Sequence, residues 1–256
     1  MARQQRIRRQ RLGKVRRRGI IAGVAIPLVV VALFGLAQLG GGSSDSSDTS
    51  IDVVASTTPT TIAGATIAGD TPCPKTDGTE ARATTFEKAP PMCIDPSQSY
   101  TATFETTEGT IEVALDTKNT PKTVNNFVVL SRYKYYDTSY IFRTDVSLDI
   151  IQGGGASNTD GPGYTIEDEG SGFKYAAGDL VMARSGAPNS GGGQFFFVTG
   201  PKASVLDGQG TYVTFGKITK GLDVAQAILA LNEGSGSLGG APSRGVQITS
   251  LTISEK

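Results

Sequence analysis

The hydrophobic and polar positions of this chain divide it into three regimes. Residues 19–39 form an uncharged, mostly apolar run, long enough as a helix to cross a bilayer core of roughly 30 Å. Pro27 inside it is tolerable in a membrane helix. Residues 40–71 are rich in Gly, Ser, Thr and Asp with only scattered apolar positions, a pattern that buries no core and predicts a flexible linker. From about Tyr100 the pattern becomes periodic. Thr101–Thr106 alternates, Glu108-Gly109 turns the chain, and Ile111, Val113 and Leu115 alternate with polar neighbours, which predicts a β-hairpin with one buried face. Thr120-Pro121 then opens a helix with Thr at its N-cap and an apolar stripe of Val124, Phe127, Val128 and Leu130. Tyr140 to Gln152 supplies two strand pieces, with Leu148, Ile150 and Gln152 on one parity and so on one face. Short strands around Leu180–Met182, Phe195–Phe197 and Val213–Gly216 follow. A helix is predicted over 221–231 with Leu222, Val224, Ala225, Ile228 and Leu231 inward, and a last strand carries Val246, Ile248, Leu251 and Ile253. Residues 153–170 and 232–244 read as glycine-rich loops. Periodicity alone thus predicts a mostly β domain with two helices.

Charge changes the picture at the N-terminus. The chain holds 24 Lys+Arg and 24 Asp+Glu, but nine of the basic residues lie within 1–18, ahead of the first acid. The rest is net acidic, which argues against a nucleic-acid partner. Basic residues directly before an apolar span are the positive-inside signature. They predict a single-pass anchor in the cell membrane, with the tail in the cytoplasm and everything after about residue 40 outside it. A cleaved signal peptide is the rival reading. The expected organisation is a basic tail (1–18), an anchor (19–39), an extracytoplasmic linker (40–97) and a globular domain (98–256), monomeric. There is no histidine, so the commonest metal ligand and general base are missing. Two cysteines cannot by themselves build a structural zinc site, and no cofactor is expected. In an exported segment, Cys73 and Cys93 most simply form a disulfide, closing a loop of about twenty residues and stabilising by roughly 3 kcal/mol. Two free thiols are the alternative.

The ordered motifs are more specific than the composition. Gly178 to Gly216 reads GDLVMARSGAPNSGGGQFFFVTGPKASVLDGQGTYVTFG, preceded by QGG at 152–154 and GPGY at 161–164. This set, in this order, resembles the cyclophilin family of peptidyl-prolyl cis/trans isomerases, whose run is close to M-A-x-x-G-P-N-x-x-G-S-Q-F-F-I, then L-D-G and V-F-G. PKTVNNFVVL at 121–130 is similar to the family's P-x-T-x-x-N-F segment. The resemblance covers about 98–254. It implies a closed, eight-stranded antiparallel β-barrel capped by two α-helices, here preceded by the transmembrane helix.

The implied chemistry needs no nucleophile, base or metal. Rotation about a peptide bond meets a barrier of about 18–20 kcal/mol because it destroys amide resonance. A catalyst must bind the twisted amide better than either planar form. A slot for the proline ring and a donor aimed at the prolyl nitrogen would suffice. Arg143 stands where the family has the arginine of F-H-R and is the candidate catalytic donor, since a guanidinium is always charged and presents fixed N–H groups. Gln152 is expected to share the groove, accepting from Arg143 or donating to a substrate carbonyl. Phe196 is expected to floor the proline slot, with Leu148, Ile150, Met182 and Leu206 as walls. Ala183 and the backbone of Arg184 are placed to meet an extended substrate, Gln194 supports the opposite side, and Tyr212 falls at or near the family's groove histidine. The sequence also departs from the family pattern. Arg143 to Gln152 is one residue longer, which predicts a bulge. Ala187 is an insertion. Val205 replaces a common Trp, which implies weak cyclosporin binding. The resemblance implies an isomerase acting on proline-containing exported or cell-envelope polypeptides. A non-catalytic proline-peptide-binding or chaperone module on the same barrel is the alternative.

Overall fold

The computed structural model describes residues 63–256, except Ser237. The expected basic tail, membrane span and first part of the linker lie outside the described residues. No helix among the described residues is long and apolar enough to cross a membrane.

Two short strands, β1 (Ala65–Ile67) and β2 (Ala83–Phe86), pair in parallel ahead of the main domain. The chain then runs β3 (Tyr100–Thr106), β4 (Gly109–Leu115), α1 (Pro121–Arg132), β5 (Tyr140–Asp145), β6 (Ile150–Gly155), β7 (Asp179–Met182) and β8 (Phe195–Val198). A 3-10 helix at Pro201–Gly208 leads to β9 (Thr214–Lys220), α2 (Leu222–Ala230), β10 (Asn232–Gly236), β11 (Gly239–Pro242) and β12 (Val246–Glu255). Eight strands lie in the order β5-β12-β3-β4-β9-β7-β8-β6, and β6 pairs back onto β5. Every one of these pairings is antiparallel, so the sheet is a closed barrel without a free edge.

Alternation along the strands fills the barrel. Phe104, Phe195 and Phe197 meet inside it with ring centroids 5.2–5.5 Å apart, each pair edge to face. Phe127 of α1 closes one end against Phe215, 5.2 Å away. The helix begins after Thr120, but the Thr120 hydroxyl donates back to the Asp116 carbonyl instead of capping. The cap comes from Glu169, whose carboxylate accepts from the backbone N–H groups of Lys122 and Thr123, at 3.1 and 2.9 Å. A negative charge there complements the helix dipole.

Helix α1 is buried on all sides from Thr123 to Arg132, more than a one-sided stripe predicts. The reason lies in the segment expected to be linker. Parts of the 63–97 segment pack against the helix and its C-terminal end, and Ala83, Phe86 and Ile94 join the main core. Asn125 of α1 accepts from the backbone N–H of Cys93 and donates to the Pro91 carbonyl. Arg82 donates to the carbonyls of Lys134 and Asp137 just beyond the helix. Cys73 and Cys93 are disulfide-bonded, with Cα atoms 5.3 Å apart. The folded unit therefore starts well before residue 98. The arm was illegible because Pro, Thr and charged residues interrupt its apolar positions.

A second correction concerns 232–244, expected as a loop. It contains the β10–β11 hairpin, which docks on the end of β5 through a Gly240–Thr144 pairing. Gly239 has φ +83°, and a Cβ there would lie 2.7 Å from the Thr144 carbonyl oxygen, so glycine is what permits the close approach.

Candidate functional site

Three barrel strands bring the key side chains into one row. Arg143 of β5 is registered opposite Gln152 of β6, and Gln152 opposite Phe196 of β8. Registered partners in an antiparallel sheet point to the same face. The next row, Thr144–Ile151–Phe197–Leu180, points into the core. The first row therefore lies on the outer face of the barrel.

A bulge makes this possible. Between Ile141, opposite Gly153, and Arg143, opposite Gln152, Phe142 is left unpaired. Strict alternation would send Ile141 and Arg143 to the same side. The extra residue lets Ile141 enter the core while Arg143 faces outward. The expected bulge thus occurs, but before Arg143. The extra length between Arg143 and Gln152 is taken up in the turn at 146–149, where Asp149 has φ +51°. Leu148 accordingly sits in that turn and not on a strand with Ile150 and Gln152.

The outer row borders a groove with a cavity volume of about 570 Å³. Phe196 is almost fully buried beneath it, in a second apolar cluster with Ile150, Tyr175, Val181, Val198 and Ala203. Leu148, Ala183, Leu206 and Tyr212 are half-buried around that cluster, and all four line the groove. The Tyr212 ring stands edge-on to Phe196 at 5.8 Å, and the Tyr175 hydroxyl holds Tyr212 in place through its backbone N–H and carbonyl, at 2.9 and 3.0 Å. Met182 does not line the groove. It belongs to the main core, because Val181, the residue before it, is the one registered with Phe196. Val205, in the position of the family's Trp, is exposed.

The polar side of the groove is a connected network. The Arg143 Nη1 donates to Gln152 Oε1 at 2.8 Å, and Gln152 Nε2 donates on to Gln194 Oε1 at 2.9 Å. Gln194 Nε2 donates to the Asp160 carbonyl at 2.7 Å. Gln152 thus accepts from Arg143, as expected, and spends one of its two amide N–H donors on Gln194, which leaves the second for the other expected role, donation to a substrate carbonyl. Arg143 Nη2 donates to Asp145 Oδ2 at 2.8 Å, and its Nε donates to the Leu238 carbonyl at the tip of the β10–β11 hairpin. Burial pushes the Asp145 carboxyl up. Hydrogen bonds from Ser147 and Arg143 outweigh that and hold it below the usual carboxylate range. The Arg184 side chain turns to Asp168 Oδ2 and the Ala187 carbonyl, at 3.1 and 2.9 Å, with its guanidinium 5.9 Å from the Tyr212 ring centre.

Sequence reasoning missed Asp145, Leu238, Tyr175 and the 158–165 wall. Asp145 was findable, being two residues from Arg143 on the same strand and therefore on the same face. The 158–165 wall is tied to the N-terminal arm. The Phe86 N–H donates to the Pro162 carbonyl at 2.7 Å, and the Tyr164 hydroxyl donates to Asn126 of α1. Among the described residues there is no cluster of His, Cys, Asp or Glu able to hold a metal ion.

Known proteins are similar to this chain in sequence and fold. Residues 101–253 match the family described as cyclophilin type peptidyl-prolyl cis-trans isomerase/CLD. The chain is 38% identical over 120 residues to peptidyl-prolyl cis-trans isomerase B of Bacillus subtilis, covering 45% of this chain and 80% of that protein. It is 33% identical over 168 residues to peptidyl-prolyl cis-trans isomerase B of Escherichia coli, covering 60% of this chain and 99% of that protein. The crystal structure of a Cryptosporidium parvum cyclophilin type peptidyl-prolyl cis-trans isomerase superposes with a TM-score of 0.54 at 28% identity, covering 62% of this chain and 99% of that one. A further crystal structure of that protein, in the presence of the dipeptide Ala-Pro, gives a TM-score of 0.53 at 27% identity.

Proposed function

This chain belongs to the cyclophilin-type peptidyl-prolyl cis-trans isomerase family, and we propose that it catalyses rotation about Xaa-Pro bonds with Arg143 as the catalytic cation, on clients outside the cytoplasmic membrane. The observation that carries the mechanism is the registered row of Arg143, Gln152 and Phe196 over one groove.

A proline ring seated on Phe196, between Leu206, Tyr212 and Leu148, places the prolyl nitrogen on the side of the row where Arg143 stands. In the planar amide that nitrogen shares its lone pair with the carbonyl and accepts no hydrogen bond. At the twisted midpoint the lone pair localises on nitrogen and can accept one. A cation there stabilises the transition state more than either ground state, which is the condition for acceleration. Arg143 has five N–H donors, of which Nε–H and one on each terminal nitrogen are committed, so two remain. The uncatalysed event takes tens of seconds. The apolar floor adds to the effect by excluding water that would stabilise the planar amide carbonyl.

The setting outside the cytoplasm is supported by the Cys73–Cys93 bridge, since disulfides persist in oxidising compartments. The uncharged run at 19–39 behind a basic tail is the proposed anchor. Two measurements test this reading. The full chain should accelerate isomerisation of an Ala-Pro peptide in a protease-coupled assay. Protease added to intact cells should digest the barrel. Full protection of the barrel would overturn the topology, and peptide binding without acceleration would support a binding module instead.

A further inference from the structure

We propose that Asp145 is a positioning residue for the isomerisation, its carboxylate fixing the plane of the Arg143 guanidinium at the groove. The inference rests on the assignment of Arg143 as the catalytic cation.

Arg143 is grasped from three elements. Gln152 on β6 offers a neutral amide oxygen, and Leu238 offers a backbone carbonyl from the exposed tip of a hairpin. Asp145 offers the charged acceptor, from the same strand as Arg143. Charge-assisted bonds of this kind are shorter and roughly twice as strong as neutral ones. The Asp145 side chain is only 7% exposed, against 20% for that of Arg143. Its second oxygen is fully employed, accepting from the Ser147 N–H at 3.0 Å and the Ser147 hydroxyl at 2.6 Å. The carboxylate therefore cannot rotate away without breaking the turn after β5. Its backbone is equally fixed, registered opposite Ile150 on the barrel wall. A long, flexible side chain is thereby held against a rigid strand, and its remaining donors keep one direction. Catalysis by a donor that matters only at the twisted midpoint depends steeply on such alignment.

The carboxylate also has an opposing effect, because its negative charge offsets part of the field that Arg143 exerts on the prolyl nitrogen. The two effects predict opposite signs on removal. Loss of alignment slows the reaction, whereas loss of screening accelerates it. The double anchoring of Asp145 points to alignment as the larger effect.

The experiment uses the full chain in detergent micelles and an Ala-Pro-containing peptide. Exchange NMR gives kcat at saturation, and titration gives Kd. D145A is expected to lower kcat about tenfold, and D145N about threefold because its amide oxygen still accepts one bond. Kd should stay within about twofold in both, since the apolar slot is untouched. A merely structural role would lower the melting temperature yet leave kcat unchanged well below it. Wild-type or higher kcat in either folded variant overturns the proposal, and D145N decides it alone if D145A does not fold. R143A distinguishes the premise. Wild-type kcat in R143A would remove the catalytic assignment itself, whereas a large loss in R143A with none in D145A and D145N removes only the role of Asp145.

Discussion

Breaking the Cys73–Cys93 bridge should weaken the whole domain and not only its N-terminal arm. The cysteines are separated by 20 residues, and closing a loop of that size in the unfolded chain corresponds to about 3 kcal/mol. That amount reaches the barrel only if arm and barrel unfold together. The structure argues that they do. Phe86 is 1% exposed and stands edge-on to Tyr133 at 5.4 Å, Asn125 holds the backbone at Cys93, and parts of the arm pack against α1, which plugs the barrel. For a domain of this size, 3 kcal/mol corresponds to a fall in melting temperature of about 6–12 °C. The assay is thermal and urea unfolding of the full chain and of C73S/C93S, followed by near-UV circular dichroism of the barrel aromatics. One cooperative transition at reduced temperature is expected. An unchanged barrel transition, with the arm lost separately or without signal, would refute the claim that the arm, through Ala83, Phe86 and Ile94, unfolds with the core.

Three further outcomes follow from the geometry. Phe196→Ala should weaken peptide binding at least tenfold and destabilise the domain by about 3–5 kcal/mol, read by titration and urea unfolding, because this ring is both groove floor and centre of the second cluster. Glu169→Gln should cost about 1 kcal/mol by removing the charged acceptor at the start of α1, measured as a shift in urea midpoint, with unchanged stability contradicting the cap. The lowered pKa of Asp145 gives the folded state an advantage that is fully present above the ordinary Asp value near 4 and is lost as pH falls through the depressed value. Stability should therefore drop on acidification by a larger amount in the wild type than in D145N, and parallel pH curves would contradict the pairing.

The first hairpin was legible in the sequence because its strands alternate, whereas the closed eight-stranded barrel rested on the family resemblance, since β6, β7 and β8 are buried along their whole length and carry no alternating pattern. Ile111, Val113 and Leu115 are buried as their parity requires, and Phe195 and Phe197 flank Phe196 on the opposite face. The site was legible where a family motif named the residues, and less so where geometry had to be inferred. The sequence points to Met182 where the structure has Val181, because a bare apolar triplet does not reveal which residue is registered with Phe196. The shared parity of Leu148, Ile150 and Gln152 holds only along an unbroken strand, and the turn at 146–149 cancels it. The β10–β11 hairpin was hidden because NEGSGSLGGAPS has no alternating apolar face, its pairing depending on glycine's close approach to β5. The arm was hidden because its burial comes from partners more than thirty residues away, such as Asn125, which no local pattern encodes.

In the proposed mechanism the positive side chain at the groove acts on the rotating bond and not on the bound peptide. The decisive experiment measures kcat and Kd for one Ala-Pro peptide with wild type, R143A and R143K. R143A should lose at least a hundredfold in kcat, R143K should keep partial activity because its single ammonium cannot keep the Gln152, Asp145 and Leu238 contacts together, and Kd should stay within a few-fold throughout. Kinetics in R143A equal to wild type, or a loss appearing wholly in Kd, would contradict that mechanism.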